Sequence, residues 1–301
     1  MKKLLIDTDL GGDCDDAGAL AIANVLMAEG RCQLLGVTHT TSSPYNLACL
    51  QAIDEYYHHP EIPLGAYRGP LFIAGSQYER FDKDMAKAFP NRYSESNQPA
   101  VEAVRLWRSL LSEAADQSIT LVGIGPFRNL ANLLRSPADE ISPLSGKELL
   151  ERKVVESVFM AGDVQRHHYA EYNVREDIPS AQYVAANIPT PVVYLDFTRG
   201  EKVYCGQAFF EPGHENNPVA FAYTHYSNAA RSSWDPLTVY YAITGEDGLF
   251  HLSEKGDLHF DDKGHTVFVP NPQGHSRYLK LAVSRKKAAS VLDALLLRSS
   301  N

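Results

Sequence analysis

The sequence contains no run of about eighteen apolar residues, so it offers no helix able to span a bilayer. Its opening, "MKKLLIDTD", meets charge after only three apolar residues, too few for the hydrophobic region of a signal peptide. Cysteine is scarce: Cys14, Cys32, Cys49 and Cys205 lie far apart, with no C-x-x-C pair. That excludes a thiolate zinc motif and a disulfide framework, and fits reduced thiols in a soluble, cytoplasmic protein. Positive charge is also short. With 28 Lys and Arg against 37 Asp and Glu, the formal net charge of −9 leaves no basic stripe for nucleic acid or an anionic membrane surface. There is no internal repeat, low-complexity tract or linker in the 301 residues. What is present, 44% hydrophobic and 22% charged residues, fits one globular chain with a large core and a small ligand or a cation as its partner.

Strand-length apolar runs alternate with helical patterns: "KLLID", "AGALAIANVLMAEG", "CQLLGVTH", "PYNLACLQAIDEYYH" and "IPLGAY". This alternation predicts β-α-β units and a parallel sheet. A polar, aromatic-rich insertion around residues 77 to 98 is expected to be a surface excursion carrying a short helix. From residue 100, "AVEAVRLWRSLLSEA" has helical spacing and "FRNLANLLRS" is a second helix. "ITLVGIG", "VVESVFMAG" and "PTPVVYLDF" have the β-branched content of strands covered on both faces. "GLFHLSEKGDLHFDDKGHTVFV" alternates apolar and polar residues around Gly256 and Gly264, which predicts a small antiparallel hairpin, and a helix is expected from about Lys280 to Leu297. Residues 1–301 therefore read as a single α/β domain.

The densest chemistry follows the first predicted strand, where Asp7, Asp9, Asp13, Asp15 and Asp16 fall within ten residues. In an open α/β sheet the loop after the first strand is a favoured ligand position. Of Asp7 and Asp9, one is expected to face the crevice and the other to brace the loop, which Gly11 and Gly12 allow to turn tightly. Capping and the helix dipole account for one or two of the carboxylates. Five would repel one another and raise their pKa values unless a cation neutralises them. Hard oxygen ligands select calcium or magnesium over zinc. An EF-hand loop is excluded, because position twelve counted from Asp7 is Gly18 rather than Glu. A magnesium-dependent phosphatase of the haloacid dehalogenase type would also begin Asp-x-Asp, with Asp7 as nucleophile and "FMAGD" as a later element. His167 and His168 stand where that arrangement requires an acid.

"DTDLGGDCDDAGAL" closely resembles the N-terminal signature of the calcium-dependent, inosine-uridine-preferring nucleoside hydrolases, in a loop longer by two residues. "LVGIGPFRNLANLL" resembles that family's strand-loop-helix element through Gly125, Pro126, Asn129, Leu130 and Ala131. "VFMAGDVQRHHYAEYNVREDIPSA" is similar to its Glu-Phe-Asn segment through Glu171, Tyr172 and Asn173, and "RSSWDPLTVYYAI" resembles its late helix, giving Asp235.

The resemblance implies an N-glycosidase that splits ribonucleosides into ribose and free base, acting in nucleoside catabolism and salvage. The implied fold is a mixed, mostly parallel sheet flanked by helices, and the implied assembly a homodimer or homotetramer. Asp9, Asp16, Asp235 and the carbonyl of Ile124 would bind Ca²⁺, with Asp9 also the general base. Asp15 would accept the ribose 2′-hydroxyl, while Glu171 and Asn173 would hold the 5′- and 3′-hydroxyls. Trp234 stands where the family has a leaving-group His, and stacking on the base is the contribution expected of it. His225, Tyr226 and His168 are the other leaving-group candidates, Asp13 is unassigned, and Tyr240 and Tyr241 are expected in helix core. The family's Gly-Asn after the second strand is replaced by His39, Thr40, Ser42 and Ser43, and its Asn upstream of Glu171 by Gln165. The alternatives are the magnesium-dependent, dehalogenase-type phosphatase with Asp7 as nucleophile, and a protein that keeps the ribosyl contacts without catalysis.

Overall fold

In a computed structural model, residues 1–75, 77–93 and 100–298 are described. The first half of the chain runs β1 (Lys2–Thr8), α1 (Asp15–Ala28), β2 (Cys32–His39), α2 (Asn46–Tyr56), β3 (Leu64–Ala66), α3 (Asp82–Ala88), β4 (Val101–Glu102), α4 (Ala103–Glu113), β5 (Ile119–Gly123) and α5 (Arg128–Arg135). Next come α6 (Gly146–Lys153), β6 (Val154–Met160), α7 (Tyr172–Arg175), α8 (Ile178–Asn187), β7 (Val192–Leu195), α9 (Phe197–Gly200), β8 (Tyr204–Cys205), α10 (Pro218–Tyr226), β9 (Arg231–Ser232) and α11 (Trp234–Thr244). The chain finishes with β10 (Phe250–Leu252), β11 (Gly256–Phe260), β12 (Thr266–Pro270), β13 (Ser276–Leu281) and α12 (Arg285–Leu296).

Among the described residues, one sheet of eleven strands carries the fold, in the order β12-β11-β13-β7-β6-β5-β1-β2-β3-β4, with β10 paired to β13. Every pairing from β13 through β7 to β4 is parallel, and β10, β11 and β12 add the antiparallel pairings. Alternate residues of each central strand enter opposite cores, as the two-residue period of a strand requires. Leu4, Ile6, Val122, Val158 and Val193 belong to the core shared with α1, α2, α10, α11 and α12. Leu5, Leu121, Phe159 and Tyr194 belong to the core shared with α4, α5, α6 and α8. Helix α1 buries twelve residues from Asp15 to Leu26, so it lacks the polar face of a surface helix.

The chain order reverses across the sheet at β1: strands β2 to β4 extend to one side, and β5 to β7 to the other. Ligands of open α/β sheets bind at such a switch point, outside the carboxyl ends of the strands. The loops after β1 and β5 meet there.

The hairpin is β11 with β12, joined to the main sheet through β13. The expected helix at Lys280 begins instead at Arg285, capped by Ser284, because Ser276–Leu281 is strand β13. Helix α4 likewise starts at Ala103 rather than residue 100, after Glu102 accepts a hydrogen bond from the Arg105 amide. The insertion carries α3, as expected of it, while its residues 94–98 lie outside the described residues. Among the described residues no helix is long and apolar enough to cross a membrane.

Candidate active site

The acidic loop takes its shape from its own side chains. Thr8, the last residue of β1, donates its hydroxyl to Asp16 and accepts the Leu10 amide at 3.2 Å. Gly11 turns the chain with a φ of 126°, a left-handed-side conformation that favours glycine. The buried His39 ring places Nε2 2.8 Å from the Leu10 carbonyl, and Thr40 donates to the Pro126 carbonyl at 3.1 Å. These residues brace the loops after β1 and β5. Asp7 stays beneath the site, where its Oδ1 accepts from Thr38 at 2.6 Å and Asn129 at 2.9 Å. Burial pushes its carboxyl up to about 7, against the lowering effect of those two donors. It does not line the cavity described below, so it is not placed to act as a phosphatase nucleophile.

Asp15 and Asp16 occupy the first turn of α1, and Asp235 the first turn of α11. No side chain of its own caps α11; Asp15 Oδ2 does so, accepting from the amides of Trp234 at 2.9 Å and Asp235 at 3.1 Å. Two helix N-termini thus converge, and their positive ends favour negative charge between them. Carboxylate oxygens of Asp15, Asp16 and Asp235 lie within 4.8 Å of one another, all three residues buried. Asp9 faces the same group, its amide bonded to Asp16. Desolvation holds the carboxyls of Asp9, Asp15, Asp16 and Asp235 well above the usual range, and repulsion from neighbouring carboxylates adds to it. A buried donor set made only of carboxylate oxygens fits a hard divalent cation, which would supply the missing countercharge. The tight trio contains Asp15 where the sequence points to Asp9.

These carboxylates floor a cavity of ≈310 Å³, the size of a small-ligand site. Ile124 and Met160 contribute from the ends of β5 and β6, and Glu171, Tyr172 and Asn173 from the start of α7. Glu171 caps α7 by accepting from the amides of Asn173 and Val174, and also takes the Gly162 amide at 3.1 Å. Burial pushes its carboxyl up to about 7 despite those donors. Asn173 Nδ2 donates to the Met160 carbonyl at 3.0 Å. Both α7 side chains are therefore fixed before any ligand arrives.

The remaining wall is Phe197, Tyr226, Arg231 and Trp234, with Gln77, Tyr78 and Arg80 at the insertion side. Trp234 donates its indole N–H to the Phe197 carbonyl at 2.7 Å and stacks on the Phe197 ring at 5.1 Å. The Arg231 guanidinium lies 4.9 Å from the Trp234 ring centre and 5.3 Å from that of Tyr226. The indole already has two ring partners, which leaves less face for a base than its position in the sequence implied. Asp13 is the ion-pair partner of Arg231: both its oxygens lie 3.1 Å from Nε, and Oδ2 also accepts from Nη2.

Among the sequence candidates, Asp9, Asp15, Asp16, Ile124, Glu171, Asn173, Tyr226, Trp234 and Asp235 come together here. His225 does not: it is exposed, its ring stacked 3.6 Å from that of Phe221 on α10, with Nδ1 2.8 Å from the Phe221 carbonyl. His168 and Gln165 are exposed and outside the cavity. Tyr240 and Tyr241 are buried in helix core. Arg231 and the residues of the insertion escaped the sequence reading. The unassigned Asp13, a carboxylate without a partner, was the signal for Arg231.

The chain matches the family model described as "Inosine-uridine preferring nucleoside hydrolase" over residues 4–293. Among solved structures, a plant nucleoside hydrolase is 18% identical over 98% of both chains, with a TM-score of 0.74. The inosine-uridine preferring nucleoside hydrolase from Bacillus anthracis is 17% identical over 98% of this chain and 99% of that one, with a TM-score of 0.72. A type III effector protein solved in complex with adenosine diphosphate ribose is 18% identical over 98% and 93%, with a TM-score of 0.71. No curated protein sequence matches the chain.

Proposed function

This chain belongs to the inosine-uridine preferring nucleoside hydrolase family, and on that premise we propose how its acidic cavity splits a ribonucleoside into ribose and free base. It is an N-glycosidase acting on a small-molecule nucleoside. The observation that carries the reading is the meeting of carboxylates from the loop after β1 and from the first turns of α1 and α11 with Glu171 and Asn173 in one cavity.

Asp9, Asp16, Asp235 and the Ile124 carbonyl would hold calcium, with Asp15 close enough to contribute. Bound there, calcium would acidify water and fix the ribose diol. Asp9 is the general base: burial and the charges of Asp15, Asp13, Glu171 and Asp7 raise its proton affinity, which suits it to take a proton from water. As the bond to the base lengthens, C1′ gains positive charge, and the surrounding carboxylates stabilise that oxocarbenium-like state. Asp15, with one oxygen held by α11, offers the other to the 2′-hydroxyl. Glu171 and Asn173 take the 5′- and 3′-hydroxyls. Because the free oxygen of buried Asp15 would go unsatisfied beside a 2′-deoxyribose, ribonucleosides are favoured over deoxynucleosides.

The test is base release from a panel of purine and pyrimidine ribonucleosides, with and without a chelator, for wild type and Asp9→Ala. Chelator-sensitive release that falls by about 10²-fold or more in Asp9→Ala is expected. Equal release by the two proteins would remove Asp9 as the base. Tight nucleoside binding without turnover would place the chain among ribosyl-binding proteins instead.

A further inference from the structure

Breaking an N-glycosidic bond leaves the electron pair of C1′–N on the departing base, and some group must meet that charge. Besides Gln77, Tyr78 and Tyr172, the side-chain donors to weigh are these. The Trp234 N–H is occupied by the Phe197 carbonyl. His225 and His168 lie outside the cavity, and Arg80, at its rim, is exposed. Tyr226 is bonded to Asp13.

Resting on the reading of the cavity as a ribonucleoside N-glycosidase, we propose that Arg231, held by Asp13, is the residue that binds and activates the leaving base, and that it favours 6-oxopurines. Asp13 takes Nε and one proton of Nη2, and no described residue accepts from Nη1. The guanidinium therefore keeps free the edge formed by Nη1 and the second Nη2 proton. Its plane is fixed by a bidentate ion pair and by the rings of Tyr226 and Trp234, and about 70% of the side chain is covered, since 30% remains exposed. The carboxylate that holds it comes from the loop that is two residues longer than the family signature. The extra length supplies Asp13, and Asp13 supplies the orientation.

The step balances without an acid from the protein. The C1′–N pair moves onto the base, where the Arg231 N–H groups bond to the atoms that gain charge, and the base nitrogen takes its proton from solvent. Water adds to C1′ and gives a proton to Asp9. A guanidinium stays protonated throughout and acts as a fixed cation. Its free edge matches the adjacent O6 and N7 acceptors of hypoxanthine or guanine, a pairing arginine makes with guanine elsewhere. Adenine presents an amino group in place of O6 and loses half of it.

The experiment compares wild type, Arg231→Met, Arg231→Lys and Asp13→Asn on inosine, adenosine and p-nitrophenyl riboside, whose leaving group needs little help. Arg231→Met is expected to lose on the order of 10²-fold in kcat/KM on inosine and under about tenfold on the nitrophenyl riboside, with the inosine-to-adenosine preference collapsing. Added guanidinium ion should restore part of the inosine rate. Arg231→Lys, which keeps the charge but not the fork, and Asp13→Asn should show the same pattern less strongly, and serve if Arg231→Met folds poorly. Equal losses on inosine and the nitrophenyl riboside, or no loss on inosine, overturn the assignment. A wild type that releases neither base nor nitrophenolate removes the glycosidase reading itself, and the proposal with it.

Discussion

Gly125 is the place where the cavity floor has no slack. A Cβ built there would lie 3.0 Å from the Asp9 amide nitrogen, 3.0 Å from Asp9 Oδ1 and 3.1 Å from Thr40 Cγ2. Ordinary contact begins at 3.4 Å, so Gly125→Ala must displace Asp9 by about 0.4 Å (3.4 − 3.0). Gly125 is not among the glycines with positive φ, so the substitution acts by crowding and not by backbone strain. A misplacement of 1 Å costs about 10²-fold in rate, roughly 2.7 kcal/mol. Scaled to this displacement, the loss is about 1 kcal/mol, or roughly sixfold in kcat. The assay is steady-state base release with a thermal melt on the same samples. Gly123→Ala is the control: its Cβ would meet the edge of the Phe159 ring at 3.0 Å, in the core beneath the site. It should cost stability, as overpacking does, and leave kcat within about twofold. If Gly125→Ala keeps wild-type kcat while its melting temperature falls, the placement of Asp9 is not what this glycine protects.

Asp7→Asn should retain activity to within about tenfold, because an amide oxygen can still accept from Thr38 and Asn129; loss as deep as that of Asp9→Ala would mean that Asp7 has a chemical role. The chelated protein should melt higher at about pH 5.5 than at about pH 8. The sign follows from the carboxyls of Asp7, Glu171, Asp9, Asp15, Asp16 and Asp235, all raised in the folded state. Their stabilising contribution is complete below the unfolded carboxyl pKa, about 4, and is lost as pH rises through the folded values. Calcium should flatten or reverse that slope by binding the deprotonated form, adding about 2.7 kcal/mol at a hundredfold excess over its Kd. A chelated protein that gains stability on going to about pH 8 would refute the account.

The parallel sheet was legible because β1, β5, β6 and β7 are buried on both faces and read as continuous apolar runs, which leaves little choice of partner geometry. Strand β13 was not, because "SRYLKL" alternates charge with apolar residues and runs into a helical pattern that absorbs it. Its pairing with β7, β10 and β11 decides between the two. The acidic half of the site showed itself in one loop, where like charges crowd within a few residues. The other half is non-local: Arg231 gains a role only by meeting Asp13, 218 positions away. His225 lies in the right segment, but its ring stacks on Phe221 one turn earlier in α10 and outside the cavity; which way that helix face turns is not fixed by spacing alone.

The cap that Asp15 places on α11 joins residues 220 positions apart. Loop closure over that distance comes late, since its entropy is recovered only when the intervening strands have docked. A chain still emerging from the ribosome, or one with its second half undocked, holds a row of repelling acids and no place for a ribose. Turnover is therefore a report on completed folding. Paired in time with a probe of sheet formation during refolding, it would lag that probe by the time α11 needs to find its cap.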